Sequence, residues 1–296
     1  MGRFRDRFPK TSAFIKRLYV AYDHDRVANS AAAVSYYFVF SLFPFLFFLA
    51  TLTAYIPYVQ SSVGALLARA QDIMPPEAMA LIDKHVGGLV TQTRPRLLTL
   101  GLLVTIYSAS RGVDAVRKAL NLAYKVGESR PFWRTELIAF GMTIGGALLV
   151  LVGITVLILG GNGGLWLARQ LGITTGYIVV LGWLRWPITI CAIFTCSALA
   201  YHFLPNVEHK IKFITPGALV GTAAWLLATV GFAKYAAHLG SYNVTYGSIG
   251  GVIVLLTWFY ISGFIFLMGG EINALWEAGP SGRSGQSDSG AAPTPV

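Results

Sequence analysis

Long stretches without a charged residue constrain this chain more than any other feature. A helix that crosses the hydrocarbon core of a bilayer needs about 20 apolar residues. Four uncharged stretches reach that length, a fifth, at 178–203, carries Arg185 as its single charge, and a sixth, at 97–110, is uncharged but shorter. All six are 31–56, 97–110, 137–159, 178–203, 213–233 and 249–270. The sequence therefore predicts an all-α integral membrane protein with six transmembrane helices.

The composition agrees with a membrane protein. Of the 296 residues, 55% are hydrophobic and only 12% are charged, whereas a soluble domain carries roughly 25% charged residues. So few charges cannot cover the surface of a soluble globule of this size, which excludes an ordinary cytosolic enzyme. The two cysteines, Cys191 and Cys196, lie in an apolar run and form no disulfide framework or zinc motif.

The net charge of +10 reflects topology rather than nucleic acid binding. Most of the lysines and arginines lie in the N-terminal tail and in the segment after the second predicted span. Cytoplasmic loops of membrane proteins carry an excess of these residues. The distribution therefore predicts that both termini are cytoplasmic, with membrane lipids and no nucleic acid as partners, and it leaves a homo-oligomer open.

The chain divides into three predicted regions. Residues 1–29 form a cytoplasmic amphipathic segment, residues 30–277 the transmembrane domain with a long outer amphipathic loop at 57–96, and residues 278–296 a disordered cytoplasmic tail. A helix over 11–25 would place Phe14, Leu18 and Tyr22 on one face. That face suits either the membrane surface or packing against the bundle.

The best local signal for a polar site is the short second span. Fourteen uncharged residues at 1.5 Å per residue cover only about 20 Å, whereas the hydrocarbon core is about 30 Å thick. Either this helix sits in a thinned membrane, or Arg111 lies inside the apolar layer. Asp114 is on the same helical face as Arg111, and Tyr107 lies one turn earlier. An intramembrane arginine normally faces the interior. The alternative is a structural ion pair at the helix end.

Other spans contribute further candidates. Glu271 and Asn273 close the last span, where Glu271 could meet Arg111, and Ser41 lies near a predicted helix kink at Pro44. The alternatives are an interfacial carboxylate and polar groups that bond neighbouring helices. Three G-x-x-x-G pairs, at 141/145, 217/221 and 247/251, permit close helix contact. No motif predicts a catalytic residue, a cofactor or a metal site.

Four segments together resemble a known family. They are AVSYYFVFSLFP at 33–44, SASRGVD with ALNLAY between 108 and 124, YHFLPN at 201–206, and the last span from YGSIG at 246 through WFY at 258 to GEINA at 270–274. In this order they are similar to the YihY/BrkB family of bacterial inner-membrane proteins, and the resemblance covers about residues 10–276.

The resemblance implies a bacterial inner-membrane protein with a family link to serum resistance and virulence, for which transport roles have been proposed. The family has also been labelled ribonuclease BN, but the thirteen carboxylates here are scattered, whereas a metal-dependent nuclease clusters several. We expect a transporter or exporter of lipid-like or small amphiphilic solutes, with ion coupling as a second form. The alternative is a non-transporting scaffold for envelope assembly.

Overall fold

The computed structural model describes residues 11–53, 55, 95–159, 175–207, 214–238 and 243–279. Within these ranges the secondary structure consists of seven α-helices and no strand. The helices are α1 (Thr11–His24), α2 (Val27–Thr53), α3 (Pro95–Ala123), α4 (Phe132–Leu159), α5 (Thr175–Phe203), α6 (Pro216–His238) and α7 (Asn243–Ala278). The all-α prediction is confirmed for this part of the chain.

Five of these helices are long and apolar enough to cross a membrane. The apolar stretches are Val27–Leu49, Phe132–Leu157, Gly182–Phe203, Pro216–Ala236 and Gly250–Ala278. The second predicted span forms a continuous helix, α3, of 29 residues, but it is not among the five. Its second half carries Arg111, Asp114, Arg117 and Lys118, which lower its hydropathy.

Local sequence signals set several helix ends. Prolines begin α3 and α6. Proline has no backbone N–H, but the first N–H groups of a helix have no acceptor within the helix, so no hydrogen bond is lost at these positions. Before α6, the Thr215 hydroxyl accepts the Ala218 N–H at 3.2 Å as an N-cap. At the end of α3, Lys125 has a φ of 56°. Its N–H bonds the Leu122 carbonyl at 3.0 Å, and the next N–H bonds the Asn121 carbonyl at 2.9 Å. This is a Schellman motif with lysine in the position that usually favours glycine.

The chain forms two compact units, residues 1–35 with 113–296, and residues 36–112. In the second unit, α2 and α3 run antiparallel. A Cβ added to Gly101 would lie 3.2 Å from the Phe47 ring, and one added to Gly112 would lie 3.4 Å from the Phe38 ring. The later residue of α3 contacts the earlier residue of α2, so the two helices run in opposite directions.

In the first unit, α4 packs along α5 and α6 packs along α7, while α5 also contacts α6. Its fully buried residues include Leu120, Leu204 and Leu275. The first helix, α1, packs against α7, and the Tyr22 ring meets Phe264 edge-on at 5.9 Å. Of the two interpretations of the 11–25 segment, this contact matches packing on the bundle.

Two predicted regions fall largely outside the described residues. The outer loop at 57–96 is described only at 95 and 96, and the tail at 278–296 only at 278 and 279. Their predicted amphipathic and disordered characters stay predictions.

Candidate functional site

The middle of α3 carries the polar residues that begin the candidate site. The guanidinium carbon of Arg111 lies 5.1 Å from the centre of the Tyr107 ring, within the range of a cation–π contact. The Ser110 side chain is fully buried, and its hydroxyl donates to the Tyr107 carbonyl at 2.7 Å. The hydroxyl is therefore satisfied within its own helix.

Asp114, one turn after Arg111, makes its described contacts with basic residues further along α3. It accepts hydrogen bonds from Arg117 Nε at 2.9 Å and Nη2 at 2.7 Å, and Lys118 Nζ lies 2.9 Å from its other oxygen. Asp114 and Arg117 are buried, whereas the Lys118 side chain is exposed. These i,i+3 and i,i+4 pairs are local to the helix and differ from the Arg111/Asp114 pair of the sequence prediction.

Arg117 also reaches the segment between α3 and α4, where Glu128 is the centre of a clasp. The Glu128 carboxylate accepts from Arg117, from Asn121 Nδ2 at 3.0 Å, and from Arg130 Nε at 2.8 Å. Hydrogen bonds from Arg130 lower the pKa of Glu128 to about 2, chiefly because they favour the charged carboxylate. We call Arg117, Asn121, Glu128, Arg130 and Asn206 the loop clasp.

The loop clasp also fastens the end of α5. Arg130 Nη2 donates to the Leu204 carbonyl at 2.7 Å and Nη1 to the Phe203 carbonyl at 3.2 Å, which satisfies carbonyls that a helix end leaves open. The Asn206 N–H donates to Asn121 Oδ1 at 2.7 Å, and its side chain donates to the Gly127 carbonyl at 2.8 Å. The clasp thus joins α3, the following loop and the end of α5.

Beside the clasp, the backbones of α6 and α7 approach closely. A Cβ on Gly217 would overlap the Gly269 carbonyl oxygen, and one on Gly269 would overlap the Tyr201 hydroxyl. That hydroxyl donates to the Phe266 carbonyl at 2.6 Å. Asn273, 1% exposed, accepts the Gly217 N–H at 2.7 Å. Glycine is required here because no side chain fits between the helices.

Glu271 lies in the same part of α7 and is also 1% exposed. Burial raises the pKa of the Tyr124 hydroxyl, at the end of α3, and the nearby carboxyl groups of Glu277 and Glu271 raise it further. Glu271 is therefore a carboxylate held inside the helix bundle, close to the end of α3. A carboxylate is rarely buried unless it is paired, so Glu271 marks a candidate site.

The remaining predicted site residues lie on α2. The Ser41 hydroxyl is buried and donates to the Phe38 carbonyl at 2.8 Å, a bond within its own helix. The helix continues as a single element through Pro44. Ser41 thus belongs to the second unit together with Tyr107 and Arg111, whereas Asp114, Glu271 and Asn273 belong to the first.

Sequence reasoning missed most of the loop clasp. Asp114 is a predicted site residue, whereas its partners Arg117 and Lys118 are not, although their spacing on α3 already permits pairing. Asn121 and Asn206 stand in two of the family-like segments. Nothing in the sequence alone brings Glu128 and Asn206 to the same place. Among the described residues, no group of three or more His, Cys, Asp or Glu could hold a metal ion.

Comparisons with known proteins agree with the membrane architecture. The family model described as virulence factor BrkB matches residues 18–291. The ribonuclease-like protein YfkH of Bacillus subtilis is 33% identical over 263 residues, covering 89% of this chain and 94% of YfkH. A UPF0761 membrane protein of Pseudoalteromonas atlantica is 24% identical over 92% of this chain and 89% of its own length. One from Aeromonas salmonicida is 26% identical, with 88% of each chain covered. No solved structure matches.

Proposed function

The chain belongs to the virulence factor BrkB family, and from that premise we propose that it is an inner-membrane transporter or exporter of lipid-like or small amphiphilic solutes. The observation that carries the proposal is the burial of Glu271, 1% exposed, within the apolar stretch Gly250–Ala278 of α7. An ionisable group inside a membrane-spanning segment is expensive and usually serves a transport pathway. Ion coupling through Glu271 is the second form of the same proposal.

We propose further that α3 is a sixth span, with both termini cytoplasmic. Contacts within the first unit support an even number of crossings. Arg17 Nη1, in α1, donates to the carbonyl of Gly279, just after α7, at 2.9 Å. Gly263 of α7 faces Ala31 and Val34 near the start of α2. The beginning of the first span therefore lies beside the C-terminal half of α7, and α1 reaches the end of that helix.

The end of α3 supports the same topology. A Cβ on Gly270 of α7 would overlap the Leu120 side chain, so α3 ends beside the end of α7. A chain that leaves this end of the bundle along α2 and returns to it along α3 crosses the membrane twice. The excess of lysine and arginine at this end favours the cytoplasmic side. The charged half of α3 is tolerated because Asp114 pairs with Arg117 and Lys118.

The experiment is solute movement in liposomes that contain the purified protein. Fluorescent-lipid flipping and proton movement are followed in one preparation for the wild type, Glu271→Gln and Glu277→Gln. Glutamine keeps the shape of Glu271 and removes its charge. Glu277, exposed on the same helix, is the matched control. We expect flux in the wild type and Glu277→Gln, with a large loss in Glu271→Gln.

Each outcome separates the proposals. Flux that is unchanged in a well-folded Glu271→Gln variant contradicts coupling through this carboxylate. An Arg111→Ala/Asp114→Ala variant tests the other candidate pair. If this variant is less stable but its folded fraction still moves solute, the pair has a structural role. If well-folded wild-type protein moves neither lipid nor protons, the scaffold alternative is favoured. Cleavage of RNA that survives purification and is lost in one carboxylate variant would support the activity in YfkH's name instead.

A further inference from the structure

The face of α1 that points away from the bundle carries an exposed apolar patch. Ile15 is 60% exposed, Tyr19 70% and Val20 57%. On the opposite face, Ala21 is 2% exposed. Tyr22 lies at the edge of the patch, with its ring 6.3 Å from that of Tyr19, and meets Phe264 of α7. We call Ile15, Tyr19 and Val20 the outer α1 patch. Packing against α7 therefore accounts for only one of the two apolar faces of this helix.

Two contacts fix the level of α1 along α7. The Tyr22 ring lies 5.9 Å from the ring of Phe264, and Arg17 Nη1 donates to the Gly279 carbonyl at 2.9 Å. The helix therefore lies beside the last four turns of α7. It is also joined to the first apolar span by only two residues, because α1 ends at His24 and α2 begins at Val27.

This level coincides with the ends of other apolar helices. Gly269, in the middle of the same part of α7, lies against Tyr201 near the end of α5 and against Gly217 at the start of α6. The apolar stretch of α5 ends at Phe203, and that of α6 begins at Pro216. A bilayer that ends where the apolar stretches of α5 and α6 end would have its boundary beside α1.

Exposed aromatic residues mark the same boundary. Phe132 and Trp133, in the first turn of α4, are 77% and 67% exposed, and Phe203, at the end of α5, is also exposed. The loop clasp holds these two helix ends together through Arg130 and the Phe203 carbonyl. Tryptophan and tyrosine are enriched at the level of lipid headgroups, which is where Trp133 and Tyr19 would lie.

We propose that α1 is an interfacial helix whose outer patch inserts into the boundary between headgroups and acyl chains, in the leaflet at this end of the bundle. The partner is a lipid surface, not a protein. Lys16, exposed between Tyr19 and Val20 on the helix surface, extends its charge to lipid phosphates while its stem covers apolar surface. Arg26, also exposed, adds a second phosphate contact where α1 turns into α2. Anionic lipids strengthen such binding.

The test places an environment-sensitive fluorophore on the patch of the full-length protein. Ile15→Cys is labelled with bimane in a Cys191→Ala/Cys196→Ala background and reconstituted into vesicles that contain anionic phospholipid. Quenching is measured with lipids brominated on the acyl chains and, separately, with aqueous iodide. Val20→Cys repeats the measurement at a second position, in case a label at residue 15 disturbs packing.

Two control positions calibrate the result. Gly127→Cys lies in the loop after α3, where an added Cβ meets nothing within 4 Å, and it reports a water-exposed label. Leu148→Cys, on an exposed position of α4, reports the acyl region. We expect labels at residues 15 and 20 to be quenched by brominated lipid several-fold more than at residue 127, and to be shielded from iodide.

Three results would overturn the proposal. Iodide quenching equal to that at residue 127, without quenching by brominated lipid, would mean that the patch faces water. Shielding from both quenchers would mean that protein covers it. Disulfide cross-linking between copies at Ile15→Cys, without lipid quenching, would identify that protein as a second copy of the chain. None of these measurements depends on solute transport, so the proposed function is tested separately.

Discussion

Replacing Glu128 by glutamine removes the charge at the centre of the loop clasp and leaves its shape. The clasp holds this carboxyl at a pKa of about 2, against an ordinary value of 4.5. One unit of pKa difference corresponds to about 1.4 kcal/mol, so the drop corresponds to about 3 kcal/mol in favour of the folded state. The side chain is 25% exposed, and glutamine keeps part of the hydrogen bonding. We therefore expect Glu128→Gln to lower the free energy of unfolding by about 2 kcal/mol.

The effect must also depend on pH in a defined direction. Because the pKa of Glu128 is lower in the folded state, its charge contributes its full stabilisation of that state above about pH 4.5. This stabilisation is lost as the pH falls towards 2. The assay is unfolding of detergent-solubilised wild type and Glu128→Gln at neutral and acidic pH. Their stability difference should narrow below pH 4.5.

A matched control separates the clasp from charge removal in general. Asp23→Asn removes an exposed carboxylate on α1 and should change stability by less than about 0.5 kcal/mol. The reasoning is refuted if Glu128→Gln is as stable as the wild type at neutral pH. It is also refuted if the difference between them stays constant on acidification, because the loss would then come from shape and not from charge.

Three further substitutions test the packing of α5, α6 and α7, each by unfolding in the same detergent. Gly217→Ala should destabilise by about 1–3 kcal/mol because its Cβ overlaps the facing helix, whereas Gly141→Ala, with nothing within 4 Å, should not; equal effects would contradict the packing. Tyr201→Phe keeps the ring and loses the bond to the Phe266 carbonyl, for an expected cost of about 1 kcal/mol, and unchanged stability would argue against that bond. Asn273→Ala leaves the Gly217 N–H without its acceptor and should cost about 1–3 kcal/mol, unlike a substitution that merely shortens an exposed side chain.

Chain composition and periodicity determined the architecture. Uncharged stretches of sufficient length can be satisfied only as helices in a bilayer, since a helix bonds all of its backbone groups internally. A helix, α3, also formed where a short apolar run predicted one, and α1 formed where the amphipathic spacing of 11–25 predicted one. The family resemblance was likewise carried by local segments, and the match over residues 18–291 confirms it.

Only the tertiary structure decided which partners these residues have. Asp114 could be read as a partner of Arg111 because both lie on one helix face, but its described bonds go to Arg117 and Lys118. Of the glycine pairs noted in the sequence, 217/221 lies in helix contact, whereas Gly141 and Gly145 have open space around them. The 247/251 pair is described only in part. Helix spacing specifies a face but not what that face meets, because contacts between distant segments depend on how the whole chain packs.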